Sequence, residues 1–382
     1  MGTEFSSGSN DGEYLVSVVD EAHALINPEH VEGRGQFGFV TGLGPQAYQI
    51  IRVSQVTIFL LDERQSFRTQ ENTSIEDIRK WAAELNAEFF TVSLAGHQFR
   101  CAGSKEYVDW VEAILAGESP EACRVLASAW TNRSSGSAPA SRPENIIQFP
   151  EPELSLRAAE ESATYGLQAK SRPLNGTLDF QVFDSPASME AALRCRLGEG
   201  NSARILAPYA RPWKTRPTRN GTRDGNPHDL PPQLKDIVIP YQQDDETKTW
   251  AKIWNFVPRN GSDYSVYIQG REGSRMHTDP LCEVGCPYTV RGFDWDYVGI
   301  LWFSDLVRLE ARWFADPKHI HETGFSTLTS KARNERDPDG LHHRNLREAV
   351  AQCYRILLTR PIRGIYLWFE DKATQKYVES AI

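Results

Sequence analysis

Short, almost uninterrupted apolar runs recur along the chain, and they constrain its fold more than any other feature. They are rich in Val, Ile, Phe and Tyr, and they show little alternation of polar and apolar residues. Runs of this kind are typical of strands buried on both faces, as in a parallel sheet that is covered by helices. The runs that we predict as strands span residues 14–19, 56–61, 89–93, 178–183, 203–207, 264–268, 297–302 and 364–369.

Helix signals lie between several of these runs. Ser74 starts a capping-box pattern with an acid three residues later, ahead of a stretch with helical apolar spacing. Ser119 and Ser185 each precede a proline, which is typical of the first turn of a helix. We expect Asn345 to cap a helix over residues 346–358. The alternation of strands and helices predicts an α/β fold.

The composition excludes several classes of protein. The 382 residues are 40% hydrophobic and 24% charged, which excludes a disordered chain, a collagen-like repeat and a coiled coil. The net charge of −9 argues against binding to polyanions by bulk charge, although it is compatible with a local basic surface. No apolar run approaches the roughly 20 residues that span a bilayer, and the first residues do not resemble a signal peptide. Six cysteines without a disulfide pattern indicate a reducing compartment, so we expect a cytoplasmic protein that contacts no membrane.

Two stretches rich in Ser, Pro, Gly and Asn interrupt the pattern, near residues 131–155 and 214–248. We interpret them as loop insertions within a domain. A domain boundary is expected where the first helical stretches give way to the third apolar run. This boundary divides the chain into a first domain over residues 1–88 and a second over residues 89–382.

The first candidate for chemistry is an acid pair that follows the first apolar run. Asp20 and Glu21 come directly after a predicted buried strand, and the carboxyl ends of such strands form the rim where α/β sheets bind ligands. In nucleotide hydrolases an acid at this place orients Mg²⁺, and a second acid polarises the attacking water. A solvated acid pair at the end of a strand is the alternative interpretation.

Polar residues also follow the next two runs. Gln65 comes shortly after the second run, where its side chain could reach both a γ-phosphate and the neighbouring domain. Arg100 follows the third run, and its guanidinium has the geometry for phosphate and keeps its charge. Each signal is weak alone, because many strands end in a polar turn and most arginines lie at the surface.

Further candidates precede the last two predicted strands. Thr289, Gly292 and Asp294 lie before the first of these strands; the glycine lets the backbone approach a phosphate, and the threonine could hold a nucleic-acid backbone. Arg360 and Arg363 lie between the last helical stretch and the final strand. An arginine at such a helix end can act as an arginine finger, which stabilises charge on a transferred phosphate. A turn before a core strand is the alternative.

A basic segment with aromatic residues follows the fifth run. It contains Arg211, Trp213 and Lys214, and it has no acidic residue up to residue 223. Basic side chains with interleaved aromatics suit single-stranded nucleic acid, because the rings stack on bases and the charges follow the backbone. A solvated loop is an equally good interpretation.

In their order along the chain, these segments resemble motifs II to VI of superfamily 1 helicases. The stretches FLLDERQSFR, QFRC, RGFDWDYVGILW and YRILLTRPIRGIYLWFED are similar, nearly phrase for phrase, to the Schlafen group 3-like DNA/RNA helicase domain. The stretches ARILAPYARPWKTR and WAKIWNFVP resemble it as well. The resemblance covers residues 14–377. It implies an α/β fold with two RecA-like parallel-sheet cores of the P-loop NTPase type, the first one incomplete.

The resemblance also implies roles for the candidate residues, with ATP and Mg²⁺ as cofactors and DNA or RNA, single-stranded, as partner. Asp20 would hold Mg²⁺, Glu21 would activate water, and Arg360 would be the finger. The implied catalytic set is Asp20, Glu21, Gln65, Arg100 and Arg360. The implied nucleotide-binding set is Asp20, Gly292, Asp294 and Arg363. The nucleic-acid set is Thr289, Arg211, Trp213 and Lys214.

The phosphate-binding loop of such helicases has no counterpart here, since no G-x-x-x-x-G-K-[ST] pattern occurs in the 382 residues. We therefore expect an N-terminally truncated member, with the loop on a separate chain or an upstream segment. The isolated chain would then not hydrolyse ATP, and the run at 14–19 would expose apolar faces. Two hypotheses stay open beside this one: a non-catalytic nucleic-acid-binding or regulatory remnant of such a helicase, and a metal-dependent nuclease.

Overall fold

A computed structural model of the chain describes residues 9–28, 44–62, 73–93, 100–131, 177–216, 226–257, 267–270, 272–288, 290 and 292–382. The strands in these residues are β1 (Tyr14–Val19), β2 (Ser54–Phe59), β3 (Asp179–Phe183), β4 (Ala203–Leu206), β5 (Ile237–Gln243), β6 (Glu246–Trp254), β7 (Glu283–Gly285), β8 (Trp295–Trp302), β9 (Leu306–Leu309), β10 (Arg312–Ala315) and β11 (Pro361–Phe369). The helices are α1 (Gln46–Val53), α2 (Ile75–Glu84), α3 (Lys105–Ala116), α4 (Pro120–Thr131), α5 (Pro186–Gly198), α6 (Arg275–Thr278), α7 (Ser326–Asn334), α8 (Leu341–Leu358) and α9 (Lys372–Ser380).

Most of the strands belong to one large sheet with the order β3-β11-β8-β4-β7-β6-β5. Every neighbouring pair in it is parallel except β5 and β6, which form an antiparallel hairpin at one edge. Parallel strands of one sheet need crossover connections, and α5 supplies the one that leads from β3 to β4. The predicted α/β class, with a large and mostly parallel sheet, is confirmed.

The large sheet is buried on both faces, as the uninterrupted apolar runs predict. Along β11, Ile365 and Leu367 belong to the apolar cluster on one face, whereas Tyr366 and Trp368 belong to the cluster on the other. Helices α3, α4, α8 and α9 contribute to the first cluster, and α5 contributes to the second. This double burial holds the amino ends of β8 and β11 in fixed positions.

Strands β1 and β2 form a separate parallel pair, in which Val16 lies opposite Val56 and Val18 opposite Ile58. These four side chains share one face, and each is between 46% and 64% exposed. Phe59 packs with α1 and α2 in a small apolar cluster of its own. Burial on both faces is therefore a wrong prediction for this pair within the described residues, and the expectation of open apolar faces is met there.

Helix starts follow the local capping signals in three places. Ser74 and Ser185 form capping boxes at the starts of α2 and α5. Helix α4 begins at Pro120, directly after Ser119, whose hydroxyl accepts the N–H of Ala122. None of the helices within the described ranges has the length and apolar character needed to cross a membrane.

The start of α8 differs from the prediction. The helix begins at Leu341 after Gly340, so Asn345 lies inside it and is not its cap. The carboxylate of Glu335 accepts the backbone N–H groups of His342 and His343 at 2.8 and 3.0 Å. Because this contact satisfies first-turn donors from outside the helix, the helix starts before the local side-chain signal.

Two predicted strands are absent from the described residues. After α2, residues 89–93 have no ladder partner in this part of the chain; Phe89 packs in the small cluster, whereas Phe90 and Val92 are 80% and 85% exposed. In the run at 264–268, the described residues Tyr267 and Ile268 are helical. The sequence of an apolar run this short does not specify whether it forms a strand, a helix or an unpaired segment.

The two predicted loop insertions have different outcomes. Most of the segment at 131–155 lies outside the described residues. The segment at 214–248 contains β5 and the start of β6, so it adds a hairpin to the edge of the large sheet and is not only a loop. The division at residues 88 and 89 stays a prediction.

Candidate functional site

The carboxyl end of β1 meets the amino ends of β8 and β11 at the junction of the two sheets, a place that is called the cleft below. Oε1 of Glu21 accepts the backbone N–H of Gly292 at 3.1 Å and lies 3.9 Å from Nη1 of Arg360. Gly292 precedes β8 and Arg360 precedes β11. Three of the residues that the sequence predicts for one site, far apart in the chain, therefore come together.

Gly292 has a backbone conformation that favours glycine. Its φ is +76°, in the left-handed region, where an L side chain is strained. A Cβ at this position would also lie 3.7 Å from Oδ2 of Asp20. The glycine thus lets its N–H meet Glu21 while Asp20 lies close beside the same turn.

Arg360 is fully buried at the end of α8. Its Nε donates to the carbonyl of Ile356 at 3.3 Å, and its Nη1 donates to the carbonyl of Val290 at 3.5 Å. A buried guanidinium is costly unless an anion balances it, and Glu21 supplies a carboxylate at the cleft. The side chain is therefore held in one orientation, toward the acid pair.

His23 completes the surroundings of Glu21. It is buried, and its Nε2 lies 3.0 Å from Oε2 of Glu21. Glu21 itself has a left-handed backbone, with φ of +53°. The candidate sets derived from the sequence omit His23, although its place two residues after the acid was the available signal.

Arg100 and Asp294, both predicted site residues, form an ion pair. A left-handed turn follows Arg100, with φ of 53°, 56° and 76° at Cys101, Ala102 and Gly103. Burial raises the pKa of the Cys101 thiol to about 12. The raised pKa favours the protonated thiol, which is a poorer nucleophile and metal ligand than the thiolate.

An ion-pair chain at the edge of the cleft was missed by sequence reasoning. Nε of Arg355 lies 2.5 Å from Oε1 of Glu112, and Nη1 of Arg355 lies 3.9 Å from Oδ2 of Asp62. These contacts link α8 to α3 and to the end of β2. The position of Arg355 in α8, close before Arg360, is the one sequence signal that could have drawn attention to it.

Arg363 lies at the amino ends of the central strands. Its Nε donates to Oδ1 of Asp296 at 2.9 Å, and Asp296 also accepts from the N–H and hydroxyl of Ser202. Arg363 thus ties together β11, β8 and the start of β4.

The proposed nucleic-acid residues lie at the opposite end of the parallel strands, after the carboxyl end of β4. Arg211 forms an ion pair with Glu370 and stacks 4.5 Å from the ring centre of Phe303. Trp213 packs edge-on against Trp254, and Nζ of Lys214 donates to the carbonyl of Lys235. The structure does not bring these side chains into the cleft, and they contact other parts of the chain. Gln65 and Thr289 lie outside the described residues.

Asp20 has the chemistry to help bind Mg²⁺ at this place. Within the described parts of the chain, no group of three or more His, Cys, Asp and Glu side chains is placed to bind a metal ion. Mg²⁺ commonly binds through one or two carboxylates together with substrate phosphates and water, and Asp20 suits that mode. Arg360 suits a phosphate, whereas the donors that would cradle the inner phosphates are absent from the sequence pattern.

The sequence matches the family model described as Schlafen group 3, DNA/RNA helicase domain, over residues 4–129 and 157–371. An uncharacterized protein of Saccharomyces cerevisiae, YPL245W, is 20% identical over 374 residues, covering 93% of this chain and 62% of the yeast protein. The chain therefore spans less than two thirds of that relative. No solved structure matches the chain.

Proposed function

Because this chain belongs to the Schlafen group 3 DNA/RNA helicase domain family, we propose that it forms part of an ATP-driven nucleic-acid motor. The nucleotide would occupy the cleft between the end of β1 and the amino ends of β8 and β11. The observation that carries the proposal is the contact of Glu21 with both Gly292 and Arg360. An acid, a backbone donor and a buried arginine around one point are the groups that phosphoryl transfer to water requires.

Each residue of the cleft has a role in this proposal. When bound, Mg²⁺–ATP supplies a phosphoryl group whose charge the metal partly neutralises. The Asp20 carboxylate would hold the metal, and Arg360 would stabilise charge on the transferred group. Glu21 would orient water and accept its proton, and the imidazole of His23 lies beside its other carboxylate oxygen.

The contacts of Glu21 constrain how a water molecule could reach it. Oε1 already accepts from Gly292 and faces Arg360, so a water molecule has to share or replace one of these contacts. Arg360 is fully buried and donates to two backbone carbonyls, so in this proposal the water shares Oε1 with it and does not displace it.

The phosphate loop would come from another polypeptide segment packed on β1 and β2. The support is the open face of Val16, Val18, Val56 and Ile58, since parallel strands are normally covered on both sides. The 382-residue chain alone would therefore not hydrolyse ATP. Single-stranded DNA or RNA would be bound through Thr289 and the basic segment at Arg211–Lys214, in which case the internal contacts of that segment rearrange.

The test measures binding and turnover separately. Single-stranded DNA and RNA oligonucleotides, labelled for fluorescence anisotropy, are titrated against the purified chain at low and high salt, while phosphate release is measured with Mg²⁺–ATP. Salt-sensitive binding without turnover is expected. Turnover that Glu21→Gln abolishes would overturn the claim that this chain lacks a working phosphate site, and absence of binding at low salt would overturn the motor proposal.

A second measurement separates a motor from a non-catalytic remnant. The chain is co-purified with any G-x-x-x-x-G-K-[ST]-bearing polypeptide encoded beside it. ATP turnover by the complex, lost in Glu21→Gln and in Arg360→Gln, is the expected result. A complex that forms without turnover would favour the remnant.

A further inference from the structure

A groove lies on the side of the molecule away from the cleft. It has two lobes of about 590 and 310 Å³, which share Gly117, Arg308 and Ala311. Strand β9, which carries Arg308, follows the carboxyl end of β8, whereas the cleft lies at the amino end of that strand. The groove therefore belongs to a different part of the surface, between the α3–α4 turn, the β9–β10 hairpin and α9.

Arg308 brings a buried charge to this groove. The residue is 8% exposed, and it has no ion pair with any carboxylate in the described part of the chain. Its Nη1 has no hydrogen-bond acceptor among the same residues. Burial lowers the pKa of the guanidinium, because the charged form loses its hydration. A buried charge without an anionic partner is rare in proteins and costly.

The structural contacts of Arg308 account for only part of its side chain. Nη2 donates to the carbonyl of Gly117 at 3.1 Å, at the end of α3, where cations are favoured. The guanidinium lies 4.2 Å from the ring centre of Tyr377 and 5.6 Å from that of Trp313. Two aromatic faces offset some of the desolvation, but they accept no hydrogen bond in the plane of the guanidinium.

The other walls favour an anion with an apolar body. Pro120 begins the 12-residue helix α4, whose amino end contributes positive potential to the larger lobe. Ala311 and Ala373 supply small apolar surfaces. Glu310 is an exposed acid at the same lobe, so a ligand with several acidic groups would be repelled.

We propose that this groove binds a small organic anion with one acidic group, which pairs with Arg308, and an apolar body on the alanine walls. A carboxylate and a phosphate monoester share the required chemistry, since both accept hydrogen bonds from a guanidinium. The volume of the larger lobe falls within the range of small-molecule sites. The site is independent of the proposed ATPase function.

The experiment is a calorimetric titration of the full chain with benzoate, phenyl phosphate and the neutral benzamide. Saturable binding of at least one anion is expected, with no binding of benzamide. Arg308→Gln should weaken the binding by about tenfold or more, because it removes the charge. Arg275→Gln is the control, since this exposed arginine lies outside both lobes, pairs with Asp229 and should leave the affinity unchanged.

A second variant keeps the proposal testable if Arg308→Gln fails to fold. Ala373→Trp keeps Arg308, changes an exposed position of α9 and fills the larger lobe, so it should abolish binding. The proposal is overturned if neither anion binds, if benzamide binds as well as the anions, or if Ala373→Trp binds like the parent chain. None of these readouts depends on ATP.

Discussion

Oε1 of Glu21 accepts a hydrogen bond from the backbone N–H of Gly292 at 3.1 Å, across 271 positions of sequence. The same oxygen faces Nη1 of Arg360 at 3.9 Å. A neutral donor and a cation, both from the large sheet, thus orient an acid that belongs to the small one. Such a carboxylate is positioned before any ligand arrives, as the proposed activation of water would require.

Gly292→Ala tests how much this turn depends on glycine. The left-handed φ of +76° strains an L side chain, so we expect the variant to lose about 1–2 kcal/mol in free energy of unfolding. Urea unfolding provides the measurement. Gly198→Ala is the control, because that glycine at the end of α5 has open space around it and alanine favours a helix. Equal effects of the two substitutions would contradict the role assigned to the turn.

Arg355→Gln tests the ion-pair chain between α8 and α3. The guanidinium is buried, whereas the side chain of Glu112 is 40% exposed and can return to water, so a loss of about 1–3 kcal/mol in free energy of unfolding is expected. A double-mutant cycle with Glu112→Gln isolates the pair itself. Lys105→Gln, in an exposed pair with Asp109 on α3, should change the stability by less than about 0.5 kcal/mol. A cycle with no coupling would show that Arg355 acts through packing alone.

Local chemistry made several elements predictable. The apolar run at β1 was predicted with its observed bounds, and three of its six residues are valine, a β-branched residue that is enriched in strands. Ser74 and Ser185 marked helix starts because a capping box is complete within four residues. Glu21 was a candidate because it follows β1, and Arg360 was a candidate because it lies between α8 and β11.

Long-range pairing set the limit of prediction. Glu112 and Arg355 are 243 positions apart, and nothing in either neighbourhood identifies the other as its partner. Arg308 lies in the short run LVRL, where no local signal indicates a buried guanidinium. The start of α8 depends on Glu335, which acts from outside the helix. In each case tertiary contacts decide what the local sequence leaves open.

The open face of β1 and β2 predicts that polar substitutions there change the stability of the protein very little. The double substitution Val18→Thr and Ile58→Thr should change the free energy of unfolding by less than about 0.5 kcal/mol, since both side chains are already in water. Static light scattering should also detect less self-association, because the exposed apolar face becomes polar.

Val298→Thr in β8 is the matched control for that experiment. This valine is fully buried, so an added hydroxyl should cost about 1–3 kcal/mol. If the double variant were as destabilised as Val298→Thr, the face of β1 and β2 would be covered in solution by another part of the protein.

Asp305 predicts a pH dependence with a definite sign. The residue is buried and accepts the Tyr354 hydroxyl at 2.7 Å, and burial raises the pKa of its carboxyl to about 7. An unfolded aspartate has a pKa of about 4, so the folded state holds the proton more tightly. The contribution of this group to stability is therefore complete below about pH 4 and is lost as the pH rises toward 7.

Asp305→Asn keeps the acceptor oxygen and removes the ionisation. The free energy of unfolding of this variant is measured in urea from pH 4 to 8. Relative to that of the parent chain, it should increase up to about pH 7, and above that pH the difference should stay constant. Asp244→Asn at the exposed β5–β6 turn corrects for the general effect of net charge. Parallel stability curves for the parent chain and Asp305→Asn would contradict the raised pKa.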